Sequence, residues 1–223
     1  MKLAIFDFNG TLFNEETLPF IMSQWHKQNY SKTRLLKIFI PLIPLYIKYK
    51  MGLNSNLSKE EMEVKAVTEV SKIFKGMNKK ELNNFFSRAA FAARNYFNKK
   101  IIEEVSRSNK NGYKTVLLSG AFRPLLVQIG NELKIDTVIG SEFSFSKNSY
   151  SSNPAIEIIS GSTKVKKINY IFKNKKIDWE NSRAYADSYN DLQLLEAVGH
   201  PVVVAPDSKL ASIAKERDWP VIE

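Results

Sequence analysis

The chain begins with a short apolar segment that ends in a carboxylate and a glycine-containing turn. Lys2 to Phe8 is mostly apolar and runs into Asp7-Phe8-Asn9-Gly10-Thr11, which has the composition of a loop. A buried strand followed by such a turn is typical of the carboxyl edge of a parallel sheet, where the ligands of open α/β sheets bind. A carboxylate directly after an apolar run is costly to bury without a partner, so Asp7 is the first candidate functional residue.

The pattern changes between Asn14 and Phe97, where strand-like alternation gives way to helical spacing. Leu18, Met22 and Trp25 fall on one helical face, and the apolar residues between 82 and 89 repeat at intervals of three and four. We therefore predict an all-helical domain inserted at residues 14–97.

After Lys99 the pattern alternates between helices and strands. We predict strands at 115–118, 137–139, 183–186 and 202–205, helices at 101–108, 124–133, 164–172 and 192–198, and a β-excursion at 143–159. Such alternation predicts an α/β fold with a Rossmann-like, doubly wound parallel sheet. Residues 1–13 and 98–223 would form this core domain around the helical insertion.

Charge and composition restrict the partners. The net charge of +10 favours anionic molecules, but the lysines are scattered and form no nucleic-acid signature, so we expect no nucleic-acid partner. The chain has no cysteine, and the apolar run at its start is too short for a signal peptide. A reducing, cytoplasmic location is the simplest expectation.

One apolar run, Ile38 to Ile47, has lysines on both sides. A membrane-spanning helix needs roughly 20 apolar residues, so this run is too short to cross a bilayer alone. We expect Pro41 and Pro44 to break any continuous helix here. The run is interpreted as a buried part of the insertion, with an apolar lid or a weak contact with an anionic membrane as the functional alternatives.

Four separate pieces of the chain carry polar residues next to predicted strand ends or helix starts. They are Asp7 to Thr11, Ser119-Gly120, Lys164, and Asp187 to Asp191. At the edge of one parallel sheet they would bring together carboxylates, a hydroxyl and a lysine, which are the groups that phosphoryl transfer from a monoester requires. Taken singly, Asp191 could be a helix N-cap, Ser119 a turn residue and Lys164 a solvated lysine.

In this order the four pieces resemble the motifs of the haloacid dehalogenase superfamily of phosphatases, specifically the phosphoserine-phosphatase-like subfamily. Asp7 to Thr11 resembles the first motif, Asp-x-Asp-Gly-Thr, and Ala186 to Asp191 resembles the fourth, Gly-Asp-x-x-x-Asp. Ser119-Gly120 and Lys164 resemble the second and third. In that subfamily a helical insertion after the first motif forms a cap over the active site.

The resemblance implies a role for each matching residue and implies Mg²⁺ as the cofactor. Asp7 would be the nucleophile and form an aspartyl-phosphate, while Asp187, one oxygen of Asp7 and the backbone carbonyl of Asn9 would bind the ion. Asp191 would orient the water shell of the metal or Lys164. Lys164 would neutralise the phosphate, and Lys166 and Lys167 are competitors for that role.

The remaining implied contacts are with the substrate. Ser119, the amide of Gly120 and Thr11 are the predicted phosphate-side residues, and Arg123 is a further candidate that could equally face only the sheet edge. Glu16 stands where phosphoserine phosphatases place a glutamate that contacts the substrate ammonium. Because no clear arginine is available in the insertion to clamp a carboxylate, the expected substrate is a small phosphomonoester, with an amino-phosphate, a phosphosugar or a lipid phosphate all open.

Asn9 departs from the family pattern, which has a second aspartate there as the general acid and base. An amide neither gives nor takes a proton at neutral pH, and losing such help typically costs about 10² to 10⁴ in rate. The substitution is compatible with an engineered change, with a naturally slow enzyme, or with a non-catalytic regulatory protein that keeps the phosphate and metal pocket. We expect Mg²⁺ and phosphate binding to persist and turnover to be poor.

Overall fold

The computed structural model describes residues 1–50, 59–151, 158–159 and 161–223 of the 223-residue chain. Its strands are β1 (Leu3–Phe6), β2 (Lys114–Phe122), β3 (Thr137–Ser141), β4 (Phe145–Ser146), β5 (Ser149–Tyr150), β6 (Arg183–Ala186), β7 (His200–Val204) and β8 (Val221–Ile222). Six of them form one sheet in the order β3-β2-β1-β6-β7-β8, and every pairing in it is parallel. Strands β4 and β5 form a separate antiparallel hairpin.

The helices lie on both sides of this sheet. They are α1 (Thr17–Lys27), α2 (Lys32–Lys50), α3 (Lys59–Ser71), α4 (Lys79–Ala93), α5 (Lys99–Lys110), α6 (Arg123–Glu132), α7 (Gly161–Ile171), α8 (Leu192–Glu196) and α9 (Ser208–Glu216). Three short 3-10 helices add Lys72–Phe74, Arg94–Tyr96 and Tyr189–Asp191.

The alternating directions of the side chains along β1 explain why helices cover both faces of the sheet. Leu3 and Ile5 point into an apolar cluster shared with α7, α8 and α9, whereas Ala4 and Phe6 point into a cluster shared with α5, α6 and the first four helices. All four side chains are fully buried. A central strand that is apolar on both faces requires a helix layer on each, so the predicted doubly wound parallel sheet is confirmed.

Two details of the sheet differ from the prediction. Ser119 and Gly120 lie within β2 rather than after it, because β2 continues to Phe122 through a register shift against β3 between Leu118 and Phe122. A two-residue edge strand, β8, also adds to β7 near the C-terminus and was not predicted, since Val221–Ile222 is too short to show alternation.

The insertion between β1 and α5 shares its apolar core with the sheet. Phe74 and Phe86 pack against Phe122 of β2, with ring centroids 5.8 and 5.9 Å from the Phe122 ring. Phe143 joins the same aromatic cluster, 5.2 Å from Phe122. The chain between 74 and 93 is therefore anchored on the α6 side of the sheet by continuous aromatic packing.

The prediction that Pro41 and Pro44 interrupt the helix in this region was wrong, because α2 runs unbroken from Lys32 to Lys50. A proline removes one backbone donor and can bend a helix without ending it. Leu35, Ile38 and Leu42 pack the inner side of α2 against the apolar core and hold the helix in place. Among the residues that the structure describes, no helix has the length and hydropathy of a membrane span.

Candidate active site

The predicted motif residues meet at the carboxyl edge of the central strands. Asp7 follows β1, Ser119 lies in the last part of β2, and Asp187 follows β6. Lys164 is in the first turn of α7, and Asp191 ends the 3-10 helix that leads into α8. These five side chains line one cavity of about 360 Å³, so residues up to 184 positions apart converge on one site.

Lys164 is buried between two carboxylates. Its Nζ donates to Oδ1 of Asp7 at 2.5 Å and to Oδ2 of Asp191 at 2.7 Å, and the side chain is only 6% exposed. The neighbouring Lys166 is exposed on the same helix and does not line the cavity. The geometry thus favours Lys164 over Lys166 as the lysine that neutralises charge in this cavity.

When all of them are ionised, Asp7, Asp187 and Asp191 carry more negative charge than Lys164 balances. Burial raises the pKa of Asp7 to about 8, with Asp191 and Asp187 adding to the rise and Lys164 opposing it. Burial, followed by repulsion from Asp191, also raises the pKa of Asp187 to about 6. For Lys164, desolvation is outweighed by the two carboxylates, so its pKa is raised and it stays protonated. A bound cation would relieve this surplus of negative charge.

The loop after β1 is shaped to hold Asp187 close to Asp7. Thr11 donates its hydroxyl to Oδ1 of Asp187 at 3.1 Å. Gly10 has a φ of +68°, and a Cβ at this position would overlap the Asp187 carboxyl group. Only glycine therefore allows both the turn and the close approach of Asp187.

The donor set fits a magnesium ion. In the described part of the chain, no group of three or more His, Asp or Glu side chains has the spacing that holds a metal by itself. Oδ1 of Asp191 is nevertheless buried without a hydrogen-bond partner among the described residues, next to the Asp7 and Lys164 pair. Magnesium is usually held by one or two carboxylates together with water and phosphate oxygens, so a small carboxylate set is what this ion needs.

Ser119 and Gly120 present polar groups to the same cavity. Ser119 is 3% exposed, and its Oγ accepts a hydrogen bond from the backbone N–H of Ala121 at 3.2 Å, which leaves the hydroxyl proton to donate. The Gly120 carbonyl accepts from Ser141 Oγ at 2.6 Å. A Cβ on Gly120 would lie 2.6 Å from the Ile159 carbonyl oxygen, so this position also requires glycine.

Both ends of the Asn9 amide make hydrogen bonds. Its Oδ1 accepts from the backbone N–H of Thr17 at 3.2 Å and from the Thr17 hydroxyl at 2.5 Å. Its Nδ2 donates to Oε2 of Glu16 at 3.4 Å. Since Glu16 makes no side-chain cap at the start of α1, Asn9 supplies that acceptor and joins the β1 loop to the insertion.

Of the residues predicted to contact the substrate, Glu16 lines the cavity and Arg123 does not. Glu16 is exposed at the start of α1 and lines the cavity. Arg123 does not line it, because Arg123 begins α6 and its guanidinium pairs with Glu142 at 3.2 Å.

The cavity also has residues that the sequence did not single out. Thr17 and the apolar side chains of α3 and β2 form part of its wall. Glu63 of α3 faces Asn190 of the 3-10 helix Tyr189–Asp191 at 3.4–3.5 Å. The insertion and the sheet edge therefore both contribute to the cavity.

The chain belongs to the family of haloacid dehalogenase-like hydrolases, whose family model matches residues 4–196. Among curated relatives, the phosphoserine phosphatase SerB1 of Mycobacterium tuberculosis is 35% identical over 65 residues, or 29% of this chain and 21% of that protein. The inhibition of morphological differentiation protein of Streptomyces azureus is 28% identical over 112 residues, covering 50% of this chain and 40% of that protein. The matched segments thus span about a fifth to two fifths of these relatives.

Solved structures show the same fold. A Bordetella pertussis Tohama I protein of unknown function superposes with a TM-score of 0.80 at 20% identity and covers 100% of this chain and 98% of its own. A phosphoserine phosphatase in a form that mimics its phospho-aspartyl intermediate superposes with a TM-score of 0.61 at 20% identity, covering 100% and 93%. At these identities the likeness defines the fold, an α/β sheet of the haloacid dehalogenase type.

Proposed function

We propose that this chain is a Mg²⁺-dependent phosphomonoesterase that forms an aspartyl-phosphate on Asp7 and turns it over slowly. The observation that carries the proposal is the buried contact of Lys164 with Asp7 and Asp191, at 2.5 and 2.7 Å, beside Asp187 and Ser119 in one cavity. A lone buried charge would be expelled or neutralised, so a buried lysine held between two carboxylates marks a candidate functional site, and a bound cation would balance the remaining negative charge before an anionic phosphate enters.

We further propose that residues 1–13 and 98–223 are the catalytic core and residues 14–97 are a cap over it. The cap supplies Glu16, Thr17 and part of α3 to the cavity wall, and the core supplies the carboxylates and Lys164. A small phosphorylated metabolite would bind between the two. Glu16 remains in the proposed substrate site, whereas Arg123, paired with Glu142, is left out of it.

Asp7, Asp187 and the backbone carbonyl of Asn9 would hold the magnesium ion, with Asp191 beside them. When bound, the ion would neutralise charge on the transferring phosphate and lower the pKa of the Asp7 carboxyl group.

In the first step the Asp7 carboxylate attacks phosphorus, and the bond between phosphorus and the ester oxygen breaks. Lys164, Ser119 and the Gly120 amide would hold the phosphate oxygens during this displacement. In the second step water attacks phosphorus, inorganic phosphate leaves, and the Asp7 carboxylate is restored.

The two proton transfers of this sequence lack a side-chain acid or base at position 9. The leaving alkoxide would take its proton from water, and the attacking water would give its proton to solvent, because the Asn9 amide does neither. Substrates with good leaving groups need less help in the first step, so an activated aryl phosphate is the most suitable probe.

Acid-quench trapping tests the proposal. We expect the chain, incubated with Mg²⁺ and labelled acetyl phosphate, to retain alkali-labile label after an acid quench, and Asp7→Ala to retain none. Because hydrolysis of the intermediate is slowed by Asn9, the label should persist longer than in the Asn9→Asp form. If neither the native chain nor the Asn9→Asp form retains label, and neither hydrolyses an aryl phosphate, the proposed activity is ruled out.

A second candidate function is that of a non-catalytic protein that binds phosphate and metal. It is favoured by one observation, the engagement of both ends of the Asn9 amide by Thr17 and Glu16. Of these contacts, the one from Nδ2 to Glu16 requires an amide and supports a structural role for asparagine at this position. Binding of Mg²⁺ and phosphate without any trapped label, in the native chain and in Asn9→Asp alike, would support this alternative.

A further inference from the structure

The outer side of α2 carries a row of apolar side chains that face solvent. Leu36, Ile40 and Ile43 are spaced by four and three residues, so they share one face of the helix. They are 58%, 66% and 49% exposed. The other exposed large apolar side chains among the described residues are spread over α4, β4, α7 and β8. Single exposed apolar residues are common on protein surfaces, whereas a row on one helix is typical of a surface that contacts a partner.

The opposite side of α2 is fixed on the insertion. Three apolar side chains of that side pack into the core, namely Leu35, Ile38 and Leu42. The helix also contacts α1 and α3. Arg34 donates to the carbonyls of Ile73 and Lys75 at 3.4 and 3.2 Å. Because these contacts determine which side of α2 faces inward, the outer row is held facing outward.

The apolar run Ile38 to Ile47 is therefore buried on one side only. The interpretation of this run as a buried part of the insertion is confirmed for Ile38, which is 8% exposed, and was wrong for Ile40 and Ile43. Apolar surface that stays in water gains free energy when it is covered. A helix that is apolar toward the core and also toward solvent thus suits a second apolar environment on its outer side.

The segment that contains α2 carries charges of one sign. Residues 17–59 include seven basic residues and no acidic residue. The basic residues are Lys27, Lys32, Arg34, Lys37, Lys48, Lys50 and Lys59. The insertion as a whole has 14 Lys and Arg against seven Glu, so it supplies +7 of the net charge of +10. The positive charge of the protein is thus concentrated on the insertion.

Lysines lie next to the apolar row, and two of the glutamates of the insertion point elsewhere. Lys32 precedes Leu36 by four residues, so it lies on the same helical face, and both Lys32 and Lys37 are exposed. On α3, which packs against α2, Glu63 faces Asn190 and Glu69 pairs with Lys72. The surface around the row is therefore apolar and basic.

Charge determines which partner fits this surface. An exposed apolar row with lysines beside it is complementary to an anionic lipid surface, where the apolar side chains enter the acyl boundary and the lysines meet the headgroups. A second copy of the chain packed on the same face would instead bring the lysines of one α2 against those of the other, and like charges at an interface are unfavourable. The observations thus favour lipid over self-association.

We propose that α2 is an interfacial helix that docks the protein on an anionic membrane through Leu36, Ile40 and Ile43. The helix would lie in the plane of the interface, with its inner side still packed on the insertion. The inference does not depend on the proposed phosphatase function. Asp7→Ala, which removes the proposed nucleophile, should therefore bind membranes like the unchanged protein.

Vesicle co-sedimentation of the full chain at low salt tests the docking. We expect binding to phosphatidylcholine vesicles that contain phosphatidylglycerol, weaker binding to phosphatidylcholine alone, and loss of binding at high salt. Changing Leu36, Ile40 and Ile43 together to Gln should abolish binding. Changing Lys32 and Lys37 together to Gln should weaken binding to the anionic vesicles by about 30-fold, or roughly fivefold for each lysine, and should leave the weak binding to phosphatidylcholine unchanged.

Two controls separate an effect on the surface from an effect on the fold. Phe91 is 68% exposed on α4, so Phe91→Gln removes an apolar side chain elsewhere and should bind like the unchanged protein. Because the substituted side chains on α2 are exposed, the Tm of each variant should stay within about 3 °C of that of the parent. The lysine variant tests the same surface without changing the apolar row.

Three outcomes would overturn the docking proposal. One is absence of binding to the anionic vesicles, and another is binding that survives the triple substitution. The third is equal binding with and without phosphatidylglycerol, which would show that the lysines meet no headgroups. A dimer in solution that the triple variant dissociates, without any vesicle binding, would also overturn it and would identify the covering partner as a second copy of the chain.

Discussion

The two walls of the cavity are held in different ways. On the sheet side, Asp7, Lys164 and Asp191 are each at most 8% exposed and are joined by short charged contacts. On the insertion side, Glu16 and Glu63 are exposed, and each contacts the core through hydrogen bonds of 3.4–3.5 Å. The charged groups of the sheet wall are buried and bonded to one another, whereas the two glutamates of the insertion wall are exposed.

This difference indicates different roles for the two walls, the reaction itself for the sheet wall and selection of the leaving group for the insertion wall. Groups that attack phosphorus and balance charge have to be preorganised, because misplacing them costs rate directly. Groups that select the leaving group contact a part of the substrate that does not react, so they can be more exposed. Substitutions on the sheet wall should therefore change rate strongly for every substrate, whereas those on the insertion wall should change selectivity by small factors.

The largest effect is expected at Asp7. Asp7→Asn keeps the size of the side chain but removes the nucleophilic carboxylate, so the rate on an aryl phosphate should fall by about 10⁴-fold or more. The measurement is best made in the Asn9→Asp background, where the starting rate is higher. Asp178→Asn, a change at a surface carboxylate far from the cavity, is the control and should keep full activity. A residual rate near that of the parent would show that Asp7 is not the nucleophile.

Lys164 should show a smaller effect on rate together with an effect on stability. Lys164→Met removes the cation between Asp7 and Asp191, and we expect about 10²-fold slower turnover. Urea unfolding should also show a loss of about 3 kcal/mol, because a buried charge pair loses one partner.

Lys166→Met is the matched control for this change, since Lys166 is exposed two residues later on α7. It should alter neither the rate nor the midpoint of unfolding. Equal effects of the two substitutions would contradict the special position of Lys164.

The sheet wall was largely predictable from the sequence, and the insertion wall was not. Asp7, Ser119, Lys164 and Asp187 follow local patterns of apolar strands and helix starts, and parallel topology then forces them to one edge. Arg123 shows the limit of that logic, because adjacency to a motif does not fix where a side chain points, and Glu142 draws it away.

Contacts between residues far apart in the chain could not be predicted from local sequence patterns. Glu63 meets Asn190 across 127 positions, and nothing in either segment indicates the other. The contact of Thr17 with a distant acceptor could have been predicted. Helix α1 is preceded by Glu16 rather than by Ser, Thr, Asp or Asn, and a helix start without a side-chain cap needs an acceptor from elsewhere. The continuity of α2 through two prolines was missed because tertiary packing outweighed local propensity.

Asn9 follows β1 and bonds to Thr17 and Glu16 of the insertion, so it lies where the two walls meet. Asn9→Asp should raise the rate on an aryl phosphate by at least about tenfold, by restoring a proton-transfer group. The new carboxyl would keep the contact of Oδ1 with Thr17 and place its other oxygen near Glu16, which would raise its pKa and suit it to act as an acid.

Two further variants test whether the rate increase in Asn9→Asp comes from proton transfer. Glu16→Gln in the Asn9→Asp background should shift the pH–rate profile to lower pH, because the repelling charge is gone. Asn14→Asp, at an exposed position outside the cavity lining, should leave the rate unchanged. An Asn9→Asp rate equal to that of the parent would refute the proton-transfer assignment of position 9.

The smallest expected effect is a pH-dependent response to Mg²⁺. The pKa of Asp187 is raised from 3.8 to about 6 and that of Asp7 to about 8, so the folded protein binds these protons more tightly than the unfolded chain. Without the ion, these groups make the protein lose stability as pH rises from about 4 to about 8. Magnesium binds the deprotonated carboxylates, so its stabilising effect should grow over the same range.

Thermal unfolding with and without Mg²⁺ at about pH 5 and about pH 8 measures this linkage. The rise in Tm caused by the ion should be larger at the higher pH and should vanish in Asp187→Asn, whereas Asp178→Asn should keep it. A rise of equal size at both pH values would show that the ion binds elsewhere, because protons would not be competing with it. A rise that disappears in Asp187→Asn would place the ion on the sheet wall, where it would neutralise the deprotonated carboxylates.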